Sequence, residues 1–388
     1  MYASPTGLST NSGLEGSPLD LKTAVTTMPY ADVTTVVLKN GDYQMTEDFD
    51  FDIGTKTIRA ETVFGVRIDV QNFAVAIIGD TGTLEGIIFE SSTMERDSEQ
   101  AGAASPTDVS GGYVAIEADS SLIHSCVFRN LLGFNFYAPA VNSVLYGCHA
   151  YYIGWIDPDR GRGHSIYTQN TTGTKTLKRS IFHDSFGWGI HAYSSNGANL
   201  LGFTFEKNIS FLNGSLGGEA RPDILLGADS VAVNGATIRA NKTYGGSNGV
   251  WFYGVGVNDL TLEDNYCPNG KSGTYTAVSE SGNNFTTVGN TSFLESDEHD
   301  AETAYLAIYN QANANTVQVD VSAIYTDGDI VNVMNAQDFE NDVQALTVIS
   351  GLITVNMQAI NRTVETPIGW PVPATSFPTF GAFILRKQ

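Results

Sequence analysis

One pattern recurs along the chain and limits what it can fold into: apolar, two residues, apolar, one residue, apolar, two residues, then Asn, Ser or a substitute. It reads Leu84-Ile87-Phe89-Ser92, Ile123-Cys126-Phe128-Leu131, Leu145-Cys148-Ala150-Ile153 and Leu177-Ser180-Phe182-Ser185. It continues as Leu200-Phe203-Phe205-Asn208, Val233-Ala236-Ile238-Asn241 and Val257-Leu260-Leu262-Asn265, with weaker copies at Val33-Val36-Leu38 and Val63-Val66-Ile68. First positions are 39, 22, 32, 23, 33 and 24 residues apart. Steps of this size match one coil of a parallel β-helix, some coils carrying an inserted loop. The alternating part of the pattern is a short strand with one buried face. Such a strand cannot bury that face alone, so the coils must stack. The Asn or Ser at the turn then meets its counterpart one coil away, and Cys126 and Cys148 fall on one inward rung.

A second strand follows in each coil, with Phe136, Ile166, Ile190, Ile224 and Val250 as its inward residues. Unequal distances from the turn to this strand locate two inserted loops, 154–164 and 209–222, at one corner with a coil between them. Ser17-Pro18-Leu19-Asp20-Leu21-Lys22-Thr23-Ala24-Val25 reads as a short amphipathic helix that caps the first coil. Residues 91–112 are polar and small, which suggests a surface loop. From about 300 the coil pattern gives way to alternating segments, Tyr305–Tyr309, Val317–Val321, Ile330–Val333 and Ile353–Val355. These predict an antiparallel β module over the far end of the helix. The expected division is an N-terminal cap over 1–30, the β-helix over 31–295 and the antiparallel module over 296–388.

Charge narrows the function. With 42 acidic against 20 basic residues the chain carries -22, which repels nucleic acid and anionic membranes. No stretch approaches the ~20 apolar residues of a membrane span. Three cysteines without CxxC or metal-ligand spacing exclude a disulfide scaffold. Met1 runs straight into polar residues, which reads as a mature chain whose leader has been removed. The expectation is a secreted or cell-surface protein acting on a polysaccharide, with neither nucleic acid nor membrane as partner. The sequence specifies no oligomeric state.

The coil pattern, the opening Tyr2-Ala3-Ser4-Pro5-Thr6-Gly7 with Gly13 and Ser17-Pro18-Leu19-Asp20-Leu21, and Asn40-Gly41-Asp42-Tyr43 resemble the right-handed parallel β-helix proteins of the pectate-lyase-like superfamily. The resemblance covers roughly residues 1–290. It implies an all-β, right-handed solenoid and a choice among polysaccharide lyases, glycoside hydrolases, epimerases, tailspikes and adhesins. Arg221-Pro222 is similar to the Arg-Pro of the superfamily's pectate lyases, whose calcium-binding Asp cluster has no counterpart here. Gly163-His164-Ser165 is the nearest approach to the galacturonase Gly-His-Gly, without the paired Asp.

Alignment of the second strands puts Tyr137, Tyr167, His191, Leu225 and Trp251 in one outward column. Pro139, Gln169, Tyr193, Gly227 and Tyr253 form the next. Aromatic rings stack on sugar faces, and rungs about 4.8 Å apart suit an extended chain. The first loop carries Asp157, Asp159, Arg160, Arg162 and His164, the second Glu219, Arg221 and Asp223. Together they should wall a cleft over His191 and Tyr193, where Arg160, Arg162 and Arg221 can hold a sugar carboxylate despite the global charge.

Two mechanisms fit that cleft. In β-elimination from a uronic acid, His191 is the base, Tyr193 or Tyr167 the acid, and an arginine neutralises the carboxylate. In hydrolysis, Asp157 or Asp159 faces Glu219 or Asp223 at about 5–5.5 or 6.5–9.5 Å. The floor of His and Tyr favours elimination. A third reading is a binding or adhesive β-helix, with the aromatics as its stripe. No cofactor is required, and no spacing demands zinc. Calcium can bridge Asp157, Asp159 and a sugar carboxylate.

Overall fold

The computed structural model describes residues 1–27, 32–102, 106–195 and 200–388. Its first compact unit, Met1–Asn283, is built of parallel strands wound into coils. Each full coil has three. One face stacks Tyr113–Ile116, Gly133–Phe136, Ile166–Thr168, Ile190–Ser194 and Ile224–Ala228. The second stacks Thr83–Glu85, Leu122–His124, Val144–Tyr146, Lys175–Lys178, Leu201–Glu206 and Val233–Arg239. The long strand Val250–Glu263 belongs to both and joins them into one sheet of 18 strands. Eight further strands, from Gly41–Gln44 to Lys242–Tyr244, make the third face. Side chains alternate along each strand, so Phe89, Phe128, Phe134 and Phe136 meet inside as a core of buried rings, with Phe89 stacked on Phe128 at 5.5 Å.

Register corrects the repeat. Leu84, Ile123, Leu145 and Leu177 continue into Phe205, Ile238 and Leu262, not into Leu200, Val233 and Val257. The sequence pattern slips because the strands Leu201–Glu206 and Val233–Arg239 are longer, and their extra alternating residues imitate the start of a coil. At the corner beyond this column lie Cys126, Cys148, Ser180, Asn208, Asn241, Asn265 and Asn283. The residue before each sits near φ +50 to +66°, for example Ser125 at 49°, Gly147 at 60° and Asp264 at 54°. Asn241 Oδ1 accepts from both the backbone N–H and the side-chain amide of Asn208, at 3.0 Å each. Asn265 does the same for Asn241, and Asn283 for Asn265. Each amide also donates to a carbonyl one coil back, as Asn208 does to Leu177 at 2.8 Å. Cys126 and Cys148 occupy the same corner as buried free thiols, and burial together with Cys126 pushes the Cys148 thiol up.

The expected capping helix is absent. Leu19 is drawn into extended pairing with Ala3, its N–H donating to Tyr2 and its carbonyl accepting from Ser4. Among the described residues a short helical turn over 21–27 follows, π-helical over Thr23–Thr27, where β-branched Thr and Val hold an α-helix poorly. The 30/31 boundary lies outside the described residues. The 91–112 segment is also more than a surface loop. Glu95 and Ser110 pair across it, and Arg96, 1% exposed, donates to the carbonyls of Gly154 and Tyr152 and to Asn130. Residues 103–105 of that segment lie outside the described residues.

The second unit, Asn284–Gln388, holds five antiparallel strands in the order Thr291–Ser296, Thr303–Tyr309, Phe380–Lys387, Ile330–Asn335 and Val343–Thr347, with the pair Thr316–Asp320 and Leu352–Asn356 beside them. Leu306, Ile308, Val331, Val333, Phe383 and Leu385 form its core. Among the described residues no helix is long and apolar enough to cross a membrane.

Removing one corner amide leaves a buried N–H and a buried carbonyl unpaired. Asn241→Ala is expected to lower unfolding free energy by about 1–3 kcal/mol, measured by urea denaturation. A change within about 0.5 kcal/mol, typical of an indifferent surface site, would show the ladder to be ornamental.

Candidate active site

The outward columns are set by strand register. Asn135, Tyr167, His191, Leu225 and Trp251 share one level. Tyr137 therefore leaves the column that sequence alignment assigned to it. It joins Gln169, Tyr193, Gly227 and Tyr253, because Phe136 pairs with Thr168 and not with Ile166. Leu225 is 2% exposed, while Tyr137, Tyr167, Gln169, Tyr193, Trp251 and Tyr253 are half-buried.

The first loop is a hairpin, Trp155–Ile156 against Gly161–Arg162. Asp157 pins its turn. One carboxylate oxygen accepts the N–H groups of Asp159 and Arg160, and the other accepts from Gly102 N–H and from Arg162 Nε at 2.6 Å. These bonds hold the Asp157 carboxyl below its ordinary range although burial pushes it up. Arg162 also reaches Asp159 at 3.4 Å, and Arg221 is paired with Glu219. Asp223 does not face the cleft. It is fully buried behind the strand, accepts from Asn213 at 2.9 Å, and burial pushes its carboxyl well up. Nor does His183, which is buried between His149 and Asp184.

The two loops do not stand apart as separate walls. They touch through Gly161 and Gly217, where a Cβ on Gly161 would lie 2.9 Å from Gly217 Cα and 1.9 Å from the Phe186 carbonyl. The open space lies to one side, a cavity of about 380 Å³ lined by Tyr113, Asn135, Tyr137, Trp155, His164 and Tyr167 among others.

Trp188, which the sequence reading passed over, organises the rest. Its ring stacks on His191 at 4.9 Å and 10°, and His191 stacks on Tyr193 at 5.2 Å and 5°. Three nearly parallel rings thus run from the turn before the strand Ile190–Ser194 onto that strand. The guanidinium carbons of Arg160 and Arg221 lie 4.6 and 5.0 Å from the Trp188 ring centroid, within cation–π range. His164 meets His191 at 4.0 Å, and its Nδ1 accepts the Trp188 N–H at 3.3 Å, so the neutral ring carries its proton on Nε2. Only the local pattern Gly-Trp-Gly before the strand hinted at Trp188.

Electrostatics keep both imidazoles neutral. Burial, then Arg160, pulls His191 down from 6.5 to about 3. Burial, then His191, Arg160 and Arg162, pulls His164 well below its ordinary value. Tyr193 donates to Asp229 Oδ2 at 2.6 Å, and chiefly that bond raises its phenol to about 12. The Tyr167 hydroxyl is committed to the Tyr193 carbonyl at 2.7 Å and receives a bond from Gln169. Among the described residues nothing hydrogen-bonds Arg160 Nη1, Trp188 Nε1 or His191 Nδ1, although all three atoms are buried. Buried polar atoms of this kind are normally satisfied by water or a ligand.

A calcium ion fits poorly here. Asp157 already takes four donors, so a cation there must displace Arg162 and backbone N–H groups. Among the described residues no three His, Cys, Asp or Glu side chains cluster closely enough to hold a metal.

No protein-family model and no curated protein matches this chain. Solved structures do. A rhamnogalacturonan lyase matches with a TM-score of 0.51 at 13% identity, over 68% of this chain and 72% of its own. A pectate lyase gives 0.49 at 14% identity, over 75% and 81%. A tailspike of an Acinetobacter baumannii bacteriophage, itself a capsular polysaccharide depolymerase, gives 0.40 at 10% identity, over 100% and 85%. The chain is a parallel β-helix. At these identities the likeness is one of fold.

The depressed His191 makes a pH prediction. Between its folded value of about 3 and its unfolded value of 6.5 the unfolded chain binds the extra proton, so stability is full above 6.5 and falls on acidification through that window. His191→Gln removes this proton uptake. Thermal unfolding across the window is expected to show a shallower acid loss in His191→Gln than in the parent, and equal slopes would contradict the neutral assignment.

Proposed function

We propose that this protein cleaves a uronic-acid-containing polysaccharide by β-elimination. The observation that carries the reading is the line Arg160–Trp188–His191–Tyr193, with its three buried unsatisfied polar atoms beside an aromatic floor. Arg160 Nη1 and Trp188 Nε1 are donors that no described residue bonds, and such donors suit a carboxylate. Of the three arginines expected to bind it, Arg162 and Arg221 already pair with carboxylates, which leaves Arg160 the largest share.

In the reaction His191, neutral, removes the proton on C5. The C5–H electrons form the C4–C5 double bond, the C4–O bond breaks, and the leaving oxygen takes a proton from Tyr193. A base near 3 is weak, but one of its two depressing causes is the charge of Arg160. A substrate carboxylate on Arg160 compensates that charge and raises the basicity of His191 as the complex forms. Tyr193 holds its proton through neutral pH, and to give it the hydroxyl must turn from Asp229 to the leaving oxygen. The hydrolytic alternative needs two facing carboxyl groups. Asp157 is spent on its turn and Asp223 is buried away from the floor.

The test is a panel of uronic and neutral polysaccharides followed by ultraviolet absorbance of the unsaturated product and by a reducing-end assay. Absorbance and reducing ends should rise together on a uronate polymer. His191→Ala and Tyr193→Phe are each expected to lower the rate by about 10²–10⁴-fold, with thermal stability near that of the parent for Tyr193→Phe. Reducing ends without absorbance would indicate hydrolysis, and binding without either would indicate a non-catalytic polysaccharide binder.

A further inference from the structure

We infer that the site reads two chemically different neighbours in one glycan, an acidic sugar at the arginine end and a neutral, hydroxyl-bearing sugar at the far end. The preferred polymer then alternates uronate with neutral residues. This rests on the elimination reading for the acidic sugar and goes beyond it in specifying the sugar whose oxygen leaves.

The far end is built around Asp229, a residue outside every sequence-derived candidate. It is exposed just past the end of the strand Ile224–Ala228 and accepts from the Tyr193 phenol at 2.6 Å. In the outward column Gly227 lies between Tyr193 and Tyr253, so the middle rung carries no side chain. The two phenol rings meet edge to face at 5.9 Å, and Trp251 stands at 88° to Tyr253 at 4.8 Å. The two phenol rings thus lean together over buried Gly227 and make an aromatic floor with one oriented carboxylate beside it. One phenol donor leaves a carboxylate with lone pairs to spare, and these accept sugar hydroxyls. The same charge repels a uronate, as does the -22 of the whole chain. At the other end, Arg160 with an unsatisfied buried nitrogen favours the uronate. His191 and Tyr193 lie between the two ends, where the bond between the two sugars must sit if they are base and acid.

Equilibrium calorimetry with the intact protein tests this, using size-matched oligosaccharides. The probes are oligogalacturonate and oligomannuronate, in which every residue is acidic, hyaluronan and rhamnogalacturonan-backbone oligosaccharides, which alternate, and a neutral β-glucan. An alternating probe should bind about tenfold tighter than either all-acidic or neutral ones. Asp229→Asn should lose about tenfold on the alternating probe and bind the all-acidic probes no worse than before. Because Asp229 is exposed, its thermal midpoint should match the parent. Equal affinity for alternating and all-acidic probes, unchanged preference in Asp229→Asn, or failure of every alternating probe to bind overturns the inference. Binding needs no turnover, so the two readings fail separately. Discrimination without any unsaturated product would sink the elimination chemistry alone, and cleavage of all-acidic chains as readily as alternating ones would sink the alternation alone.

Discussion

Coil-to-coil register is the constraint on which the rest of this molecule depends. A stacked solenoid keeps its apolar ladder inside when a coil slips by two residues, so hydrophobicity alone leaves successive coils free to slip by that step. The corner amides remove that freedom. Asn208, Asn241, Asn265 and Asn283 each saturate a backbone N–H and a carbonyl of the coil before. A slip by one residue would strand several buried polar groups at once and turn each strand's apolar residues outward. Toward the N-terminal coils Ser180 carries the same role with its hydroxyl oxygen, which accepts the Cys148 N–H at 3.1 Å, and the thiols then fill the corner.

Register at that corner is what aligns the opposite face. His191 stands beside Tyr167 because Ile190 is level with Ile166, and Gly227 lets the Tyr193 and Tyr253 rings meet because Leu226 is level with Ala192. The loops add the charge. One hairpin turned by Asp157 brings Arg160 to Trp188, and one turn after Asn213 brings Arg221 to the same indole. At the site Arg162 and Arg221 pair with neighbouring carboxylates, and Arg160 Nη1 is a buried guanidinium nitrogen that no described residue bonds.

The coil period and the presence of inserted segments were legible from residue order because each is a local pattern, although the second segment starts only after the strand Ile209–Phe211 and Tyr137 was placed in the wrong column. His191, Tyr193 and Arg160 became candidates that way. Other features were hidden for physical reasons. The slip from Leu177 to Phe205 arises because a longer strand repeats the same alternation, which periodicity cannot resolve. Asp157 and Asp223 looked like interchangeable loop carboxylates, yet one is a turn pin and the other a buried acid. Trp188 and Asp229 lie outside the alternating stretches, so no pattern pointed to them. Leu19 looked helical until Ala3, sixteen positions away in the chain, took it as a strand partner.

Residue order by itself determined that this chain must stack coils, since strands this short with one apolar face have no other way to leave water. It also determined which residue types could meet on the outer wall. Tertiary structure alone decided who meets whom. Hydrogen-bond registry at the corner, and close approach of the loops at Gly161 and Gly217, are contacts between distant segments. Their energies depend on burial and direction, which no linear pattern records.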